Sequence, residues 1–167
     1  KKLVIIAVAL TFTACSASGG ELRQISQTTF SSEEVVSVLV DYPHYESFEA
    51  LAEKADIIVS GSVSDIKINE TNEQTIYMVE ITKAYKGEEK QNVIITQFGF
   101  SAENKSYSPF VVIDDDKSYV FFAAYTGTSY QILSPYQAVY ELSENSLKNV
   151  GSGFSVTLEE LEAYSNH

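Results

Sequence analysis

The spacing of apolar and polar residues divides the chain into three stretches. Leu3 to Leu10 is an unbroken apolar run behind Lys1 and Lys2, followed by the small, neutral exit Thr11-Phe12-Thr13-Ala14. Ser16 to Ser32 is rich in Ser, Gly, Thr and Gln and follows neither a helical nor a strand period, which predicts a flexible tether. Beyond it a period of two dominates. Glu34 to Val40 is β-branched and stops at Asp41-Tyr42-Pro43. Ser47 is placed to cap a short helix with Phe48, Leu51, Ala52 and Ala55 on one face. Asp56–Ile68 alternates, with Ile57, Val59, Gly61 and Val63 on one side and Ile66 and Ile68 on the opposite parity, which predicts a bulge near Ser64-Asp65. Asn69-Glu70-Thr71-Asn72 turns into a strand over Thr75–Tyr85, and Lys86-Gly87-Glu88-Glu89 turns into Asn92–Phe98. Gly99–Ser108 reads as a polar loop, Pro109–Ile113 as a short apolar piece and Asp114–Lys117 as a turn. Strands follow at Ser118–Tyr125, Tyr130–Leu133 and Tyr136–Leu142, the first two joined at Gly127-Thr128. Thr157-Leu158-Glu159-Glu160 is a capping box that opens a C-terminal helix. Five or six strands at hairpin spacing with short flanking helices predict a mainly β protein, a small closed or nearly closed barrel.

Composition agrees with a sheet protein: tryptophan is absent, tyrosine occurs 11 times, and Val and Ile are frequent. At 167 residues the chain is long enough for one domain. Its 11 basic residues face 23 acidic ones, a net charge of −12. Such a surface repels phosphate backbones and anionic headgroups, so nucleic acid is not an expected partner. No basic stripe is present to hold the chain electrostatically at a membrane.

Cys15 changes the picture. It is the only cysteine, so no disulfide forms within the chain. A positive start, an apolar stretch that ends after about 12 residues, the small Ala14 and then a thiol make up a lipoprotein signal peptide. The run is too short to span a bilayer, which takes about 20 apolar residues. Residues 1–14 are therefore expected to be the signal peptide, and residues 15–32 the acylated Cys15 with its tether. Residues 33–167 are the expected barrel domain. Lipidation would hold the protein at the extracytoplasmic face of the cell membrane. The alternative is secretory cleavage after Ala17, which leaves a soluble product.

The stretch from Ala55 to about Tyr140 resembles the OB-like barrel of the netrin module, the family of the tissue inhibitors of metalloproteinases. The segments that carry it are Ala55–Val63 (ADIIVSGSV), Tyr77–Gly87 (YMVEITKAYKG), Asn92–Gly99 (NVIITQFG) and Ser118–Ala123 (SYVFFA). The pattern is also similar to many uncharacterised bacterial surface proteins. The resemblance implies a five- to six-stranded OB-like barrel. It does not imply protease inhibition, which in that family uses a disulfide-held N-terminal cysteine to chelate zinc. Cys15 has no partner cysteine, and a tether separates it from the barrel.

Candidate chemistry is sparse. Ser64 and Lys67 match Ser-x-x-Lys, but on a strand that separation sends the two side chains to opposite faces, and the supporting motifs are missing. His44 lies beside Pro43 and His167 at the end of the chain, neither with a partner at ligand or triad spacing. Asp114, Asp115 and Asp116 are weak candidates for a hard cation such as Ca²⁺, without the calcium-loop spacing. No phosphate loop or dinucleotide fingerprint occurs, so no cofactor is expected. Tyr107, Phe110, Tyr125, Tyr130 and Tyr136 fall in or beside loops, where an aromatic rim would stack on glycan rings or anchor a protein. The alternative is strand tyrosines that bury the ring and leave the hydroxyl wet. The expected molecule is thus a membrane-anchored, non-enzymatic binding module for a surface protein or cell-wall glycan. A cell-envelope enzyme with an unrecognised active site is the alternative.

Overall fold

A computed structural model describes residues 35–88, 90–102, 105–144 and 146–166. The expected signal peptide, Cys15, the tether and His167 lie outside these residues.

The described chain is mainly β. Strand β1 (Val36–Leu39) precedes helix α1 (Phe48–Lys54), and six strands follow: β2 (Ile57–Asn69), β3 (Gln74–Lys86), β4 (Asn92–Phe98), β5 (Lys105–Ser108), β6 (Ser118–Tyr125) and β7 (Tyr130–Ile132). The chain ends in β8 (Val139–Ser143), β9 (Ser146–Asn149), helix α2 (Leu158–Glu162) and a 3-10 turn, Ala163–Asn166. Five strands close on themselves in the order β2-β3-β4-β7-β6, and β6 returns to pair with β2. All neighbours are antiparallel except β4 and β7. This is an OB-like mixed barrel with two short helices. Strands β8 and β9 extend the sheet beyond β6, and β1 pairs with β5 in a separate parallel ribbon.

Strand β2 makes closure possible. It pairs with β3 along its length and, from Ile57 to Ser62, with β6 on the other edge. Register shifts at Ile58/Val59, Ser60/Gly61 and Val63/Asp65 bend it around the barrel, the last at the expected bulge. Gly61 sits where β3 passes closest. A Cβ there would collide with the Glu80 carbonyl and lie 2.9 Å from Val79 Cγ1, so the bend needs a residue without a side chain.

Ile57, Val59, Val63, Tyr77, Val79 and Ile95 are buried in one core with Phe121 and Val139. Ile58, Val120 and Phe122 are also buried, although alternation would send them outward. The reason is a second layer: Phe48 of α1 packs edge-on against Phe122 at 5.5 Å and against Tyr164 at 5.6 Å. Strands covered on both faces lose their alternation. Helix α1 starts where Ser47 Oγ accepts from the Ala50 N–H at 3.2 Å. Its C-terminal carbonyls, Ala52 and Glu53, accept from Lys86 Nζ at 2.9 and 3.0 Å. The capping box at Thr157 opens α2 as its spacing predicts.

One mouth of the barrel is tied by Gln97, which is fully buried. Its amide donates to the Val111 carbonyl at 2.9 Å and to the Tyr77 hydroxyl at 3.2 Å, and its oxygen accepts from the Val111 N–H at 3.2 Å. The apolar piece 109–113 is thereby held to β4 without becoming a strand. Two strands depart from the sequence expectation. β5 lies in the expected polar loop, and β9 pairs with β8 through Tyr140↔Asn149 to Ser143↔Ser146. β5 is recruited by β1, far earlier in the chain, through Val36↔Lys105 to Leu39↔Ser108, a partner that no local period reveals.

Gly61→Ala is expected to destabilise the domain by about 3 kcal/mol or more, read as a lower urea midpoint at unchanged slope. A midpoint equal to that of the parent would mean β3 has room to move.

Candidate functional site

The β6–β7 hairpin brings two of the five candidate aromatics together. Tyr125 and Tyr130 are direct cross-strand partners, with ring centroids 5.3 Å apart and planes at 54°. The turn between them is closed by the Thr126 N–H, which donates to the Ser129 carbonyl at 2.9 Å. Gly127 supplies the positive φ of +99° that this turn requires. Tyr125 is 55% exposed, and its hydroxyl donates to the Gly127 carbonyl. From below, Asp56 fixes the end of β6: its carboxylate accepts from the Tyr125 N–H at 2.7 Å.

Lys90, in the turn after β3, reaches this pair. Its Nζ lies 5.5 Å from the Tyr130 ring centroid and donates to the Tyr130 hydroxyl at 3.2 Å. That bond, more than the ion pair with Glu88 at 3.5 Å, raises the Lys90 pKa. Lys90 also lines a cleft of about 490 Å³, together with Ile81, Thr82, Lys83, Ala84 and Ser165. Lys83, another lining residue, is paired with Glu162 and lies 4.9 Å over the Tyr85 ring. Rings, ammonium groups and hydroxyls thus share one surface of an acidic domain. Such a surface can stack on a flat ligand and donate hydrogen bonds to it.

The other three aromatics are elsewhere. Tyr107 is only 7% exposed. It packs against Phe98 at 5.8 Å and Phe100 at 5.2 Å, with its hydroxyl 3.4 Å from Glu73, so it belongs to the interior. Phe110 is half-buried in a small apolar groove with Ile66, Ile68, Tyr77 and Val112. Tyr136 is half-exposed beside the turn at Gly151 and Gly153, whose close approach to its backbone leaves no room for a Cβ. The aromatics therefore form a Tyr125–Tyr130 pair and three separate residues. Hairpin register could have paired Tyr125 with Tyr130 from sequence. Lys90 and Lys83 carried no such signal, because barrel closure places them.

The remaining candidates are either engaged in local contacts or exposed, and none converges on a site among the described residues. Asp114 forms an ion pair with Lys117 at 3.2 Å, and its N–H donates to the Tyr119 hydroxyl at 3.0 Å. Asp115 and Asp116 are exposed in the turn. Among the described residues, no three His, Cys, Asp or Glu side chains converge as metal ligands would. The Ser64 hydroxyl donates to the Met78 carbonyl at 3.3 Å, and Lys67 pairs with Asp65 at 2.8 Å. His44 is exposed. A second cleft, of about 290 Å³, lies between the segment after β1 and the β6–β7 hairpin. There the Tyr42 hydroxyl accepts from the Phe98 N–H at 3.1 Å, and burial raises the Tyr42 pKa. Among the described residues no helix is long and apolar enough to cross a membrane.

Fold and surface define a small mainly β protein with a five-strand closed barrel. No protein-family model matches the chain, and no curated protein matches it either.

The strongest pKa displacements belong to core tyrosines. Burial raises Tyr77 well above the phenol range and pushes Tyr140 up to about 12. The Tyr140 hydroxyl makes no well-formed hydrogen bond among the described residues, and weak approaches to Asn149 and the Phe154 backbone offset burial only in part. Both groups are neutral in the fold and ionise near pH 10 when unfolded. Their contribution to stability is therefore complete below pH about 10 and is lost as pH rises above it, through about 12 for Tyr140. Denaturant melts should hold constant on this account up to about pH 10 and fall steeply above it. Tyr140→Phe should flatten that fall.

Proposed function

We propose that this protein is a lipid-anchored binding module at the extracytoplasmic face of the cell membrane. Its barrel, of the netrin or metalloproteinase-inhibitor type, presents Tyr125, Tyr130 and Lys90 to a protein or a cell-wall glycan. The observation that carries this reading is the packing of two cross-strand tyrosines with a lysine beside an open cleft. Exposed aromatic rings bring large contact area at little conformational cost, and they dominate the energetics of many interfaces. Hydroxyl and ammonium donors at their edges supply direction. The anchor is the reading of Cys15 behind its apolar run.

The contact surface is tested by capture from intact envelopes with the full chain as bait. Tyr125→Ala with Tyr130→Ala should lower capture of a specific partner at least about tenfold, the effect of losing one interface anchor. Asp116→Ala, in the turn before the opposite end of β6, serves as the control and should leave capture unchanged. Equal capture by parent and double variant would remove this surface from the reading. The anchor has its own test, because Cys15→Ala should move the protein from the membrane to the soluble fraction. Unchanged fractionation, or an unmodified sulfur in the mass of the mature protein, would refute it.

A further inference from the structure

Strand β2 outlasts its second partner. β6 pairs with it only as far as Ser62↔Ser118, whereas β3 stays with it to Asn69↔Gln74. From Ser64 to Ile68, β2 keeps β3 on one edge and has no strand on the other, and its five residues there are all exposed. No described backbone group bonds to the free edge of these residues. An unpaired edge of this kind is a template for another strand.

The two faces of this edge differ. Ile66 and Ile68 point toward Tyr77 and Phe110 and line a groove of about 120 Å³ with Val112, which is 64% exposed. Asp65 and Lys67 occupy the opposite parity and pair with each other at 2.8 Å. The sequence Asp65-Ile66-Lys67 is self-complementary when it is run antiparallel against itself. With a twofold axis at Ile66, each Asp65 faces the second copy's Lys67, Ile66 faces its own mate, and Ile68 faces Ser64. Two opposite-charge pairs then lie on one face, and the isoleucines meet on the other.

We propose that a second copy of this chain docks on this edge, forming an isologous antiparallel dimer through residues 64–68. Charge complementarity selects this occupant: a strand with the same charge at both flanking positions would set like charges opposite each other. A ladder of five residues makes a weak, reversible dimer. The proposal uses a surface separate from Tyr125 and Tyr130, so it stands or falls apart from the binding reading.

Sedimentation of the full chain in detergent, across a range of concentrations, tests it. A monomer–dimer equilibrium is expected. Lys67→Glu should raise the dimer dissociation constant at least about tenfold, and the swapped pair Asp65→Lys with Lys67→Asp should restore it. Under mild oxidation, Ile66→Cys should link two copies through position 66, mapped by peptide mass. Ile68→Cys should not link to itself, because the axis places those positions apart. Both variants change exposed residues, and an unchanged thermal midpoint confirms that they fold. A monomer at every concentration overturns the proposal. So does a dimer indifferent to Lys67→Glu, or one that links equally well through position 68.

Discussion

The barrel depends on a single strand bonded on both edges at once. Over Ile58–Ser62, β2 lies between β3 and β6, and this double pairing turns a meander into a closed cylinder. The bend that permits it is made of bulges and of Gly61, where even a methyl group would strike the β3 backbone. Closure then dictates the behaviour of β6. Its edge opposite β2 is shared: β8 takes Ser118–Phe121 and β7 takes Ala123–Tyr125. β7 is short, and its other edge meets β4 in parallel through only Ile95↔Tyr130 and Thr96↔Gln131. Tyr125 and Tyr130 thus sit at the end of β6 away from β8, where β7 joins β6 to β4.

The residues that carry the sequence resemblance serve the architecture of this five-strand barrel. Asp56 donates its N–H to the Ala123 carbonyl at 2.9 Å while its carboxylate takes the Tyr125 N–H, so it locks the end of β6 onto the start of β2. Lys86 caps α1. Gly87, with φ of +92°, passes so close to β2 that a Cβ would lie 2.8 Å from Ile57 Cγ2. Lys83 ties β3 to Glu162 at the end of α2. Each position answers a packing or capping demand, so a chain that keeps them keeps the fold whatever it binds. This explains how sequence resemblance can carry a barrel and stay silent about a ligand.

Legibility in the sequence followed the range of the interactions. The caps at Ser47 and Thr157, the bulge after Val63 and the strands β4 and β6 rest on neighbours within a few residues, and period and capping chemistry reveal them. The parallel contact of β4 with β7, the β1–β5 ribbon and the burial of Ile58 and Phe122 depend on partners far along the chain. A local period carries no trace of these. The aromatic surface shows the same division. Tyr125 and Tyr130 were visible as residues flanking a turn, whereas Lys90 joins them only through closure. Tyr107 looked like a loop aromatic because its segment is polar, yet β5 folds it beneath Phe98 and Phe100.

Charge constrains what this surface can recognise. Several lysines of the described domain bind elements to one another: Lys83 to Glu162, Lys86 to α1, Lys105 to Glu73, Lys117 to Asp114 and Glu141. Lys90 differs, because its main partner is the face and hydroxyl of an aromatic ring that is itself only partly buried. A net charge of −12 sets up a field that slows the approach of anionic ligands over distances of about a Debye length, roughly 8–10 Å. A ligand of the proposed kind therefore gains little from long-range steering toward Lys90. Its affinity has to come from contact: stacking on Tyr125 and Tyr130, with hydrogen bonds at the ring edges. On the proposed reading, neutral glycans and protein surfaces meet that requirement better than phosphate-rich polymers, which the acidic domain repels.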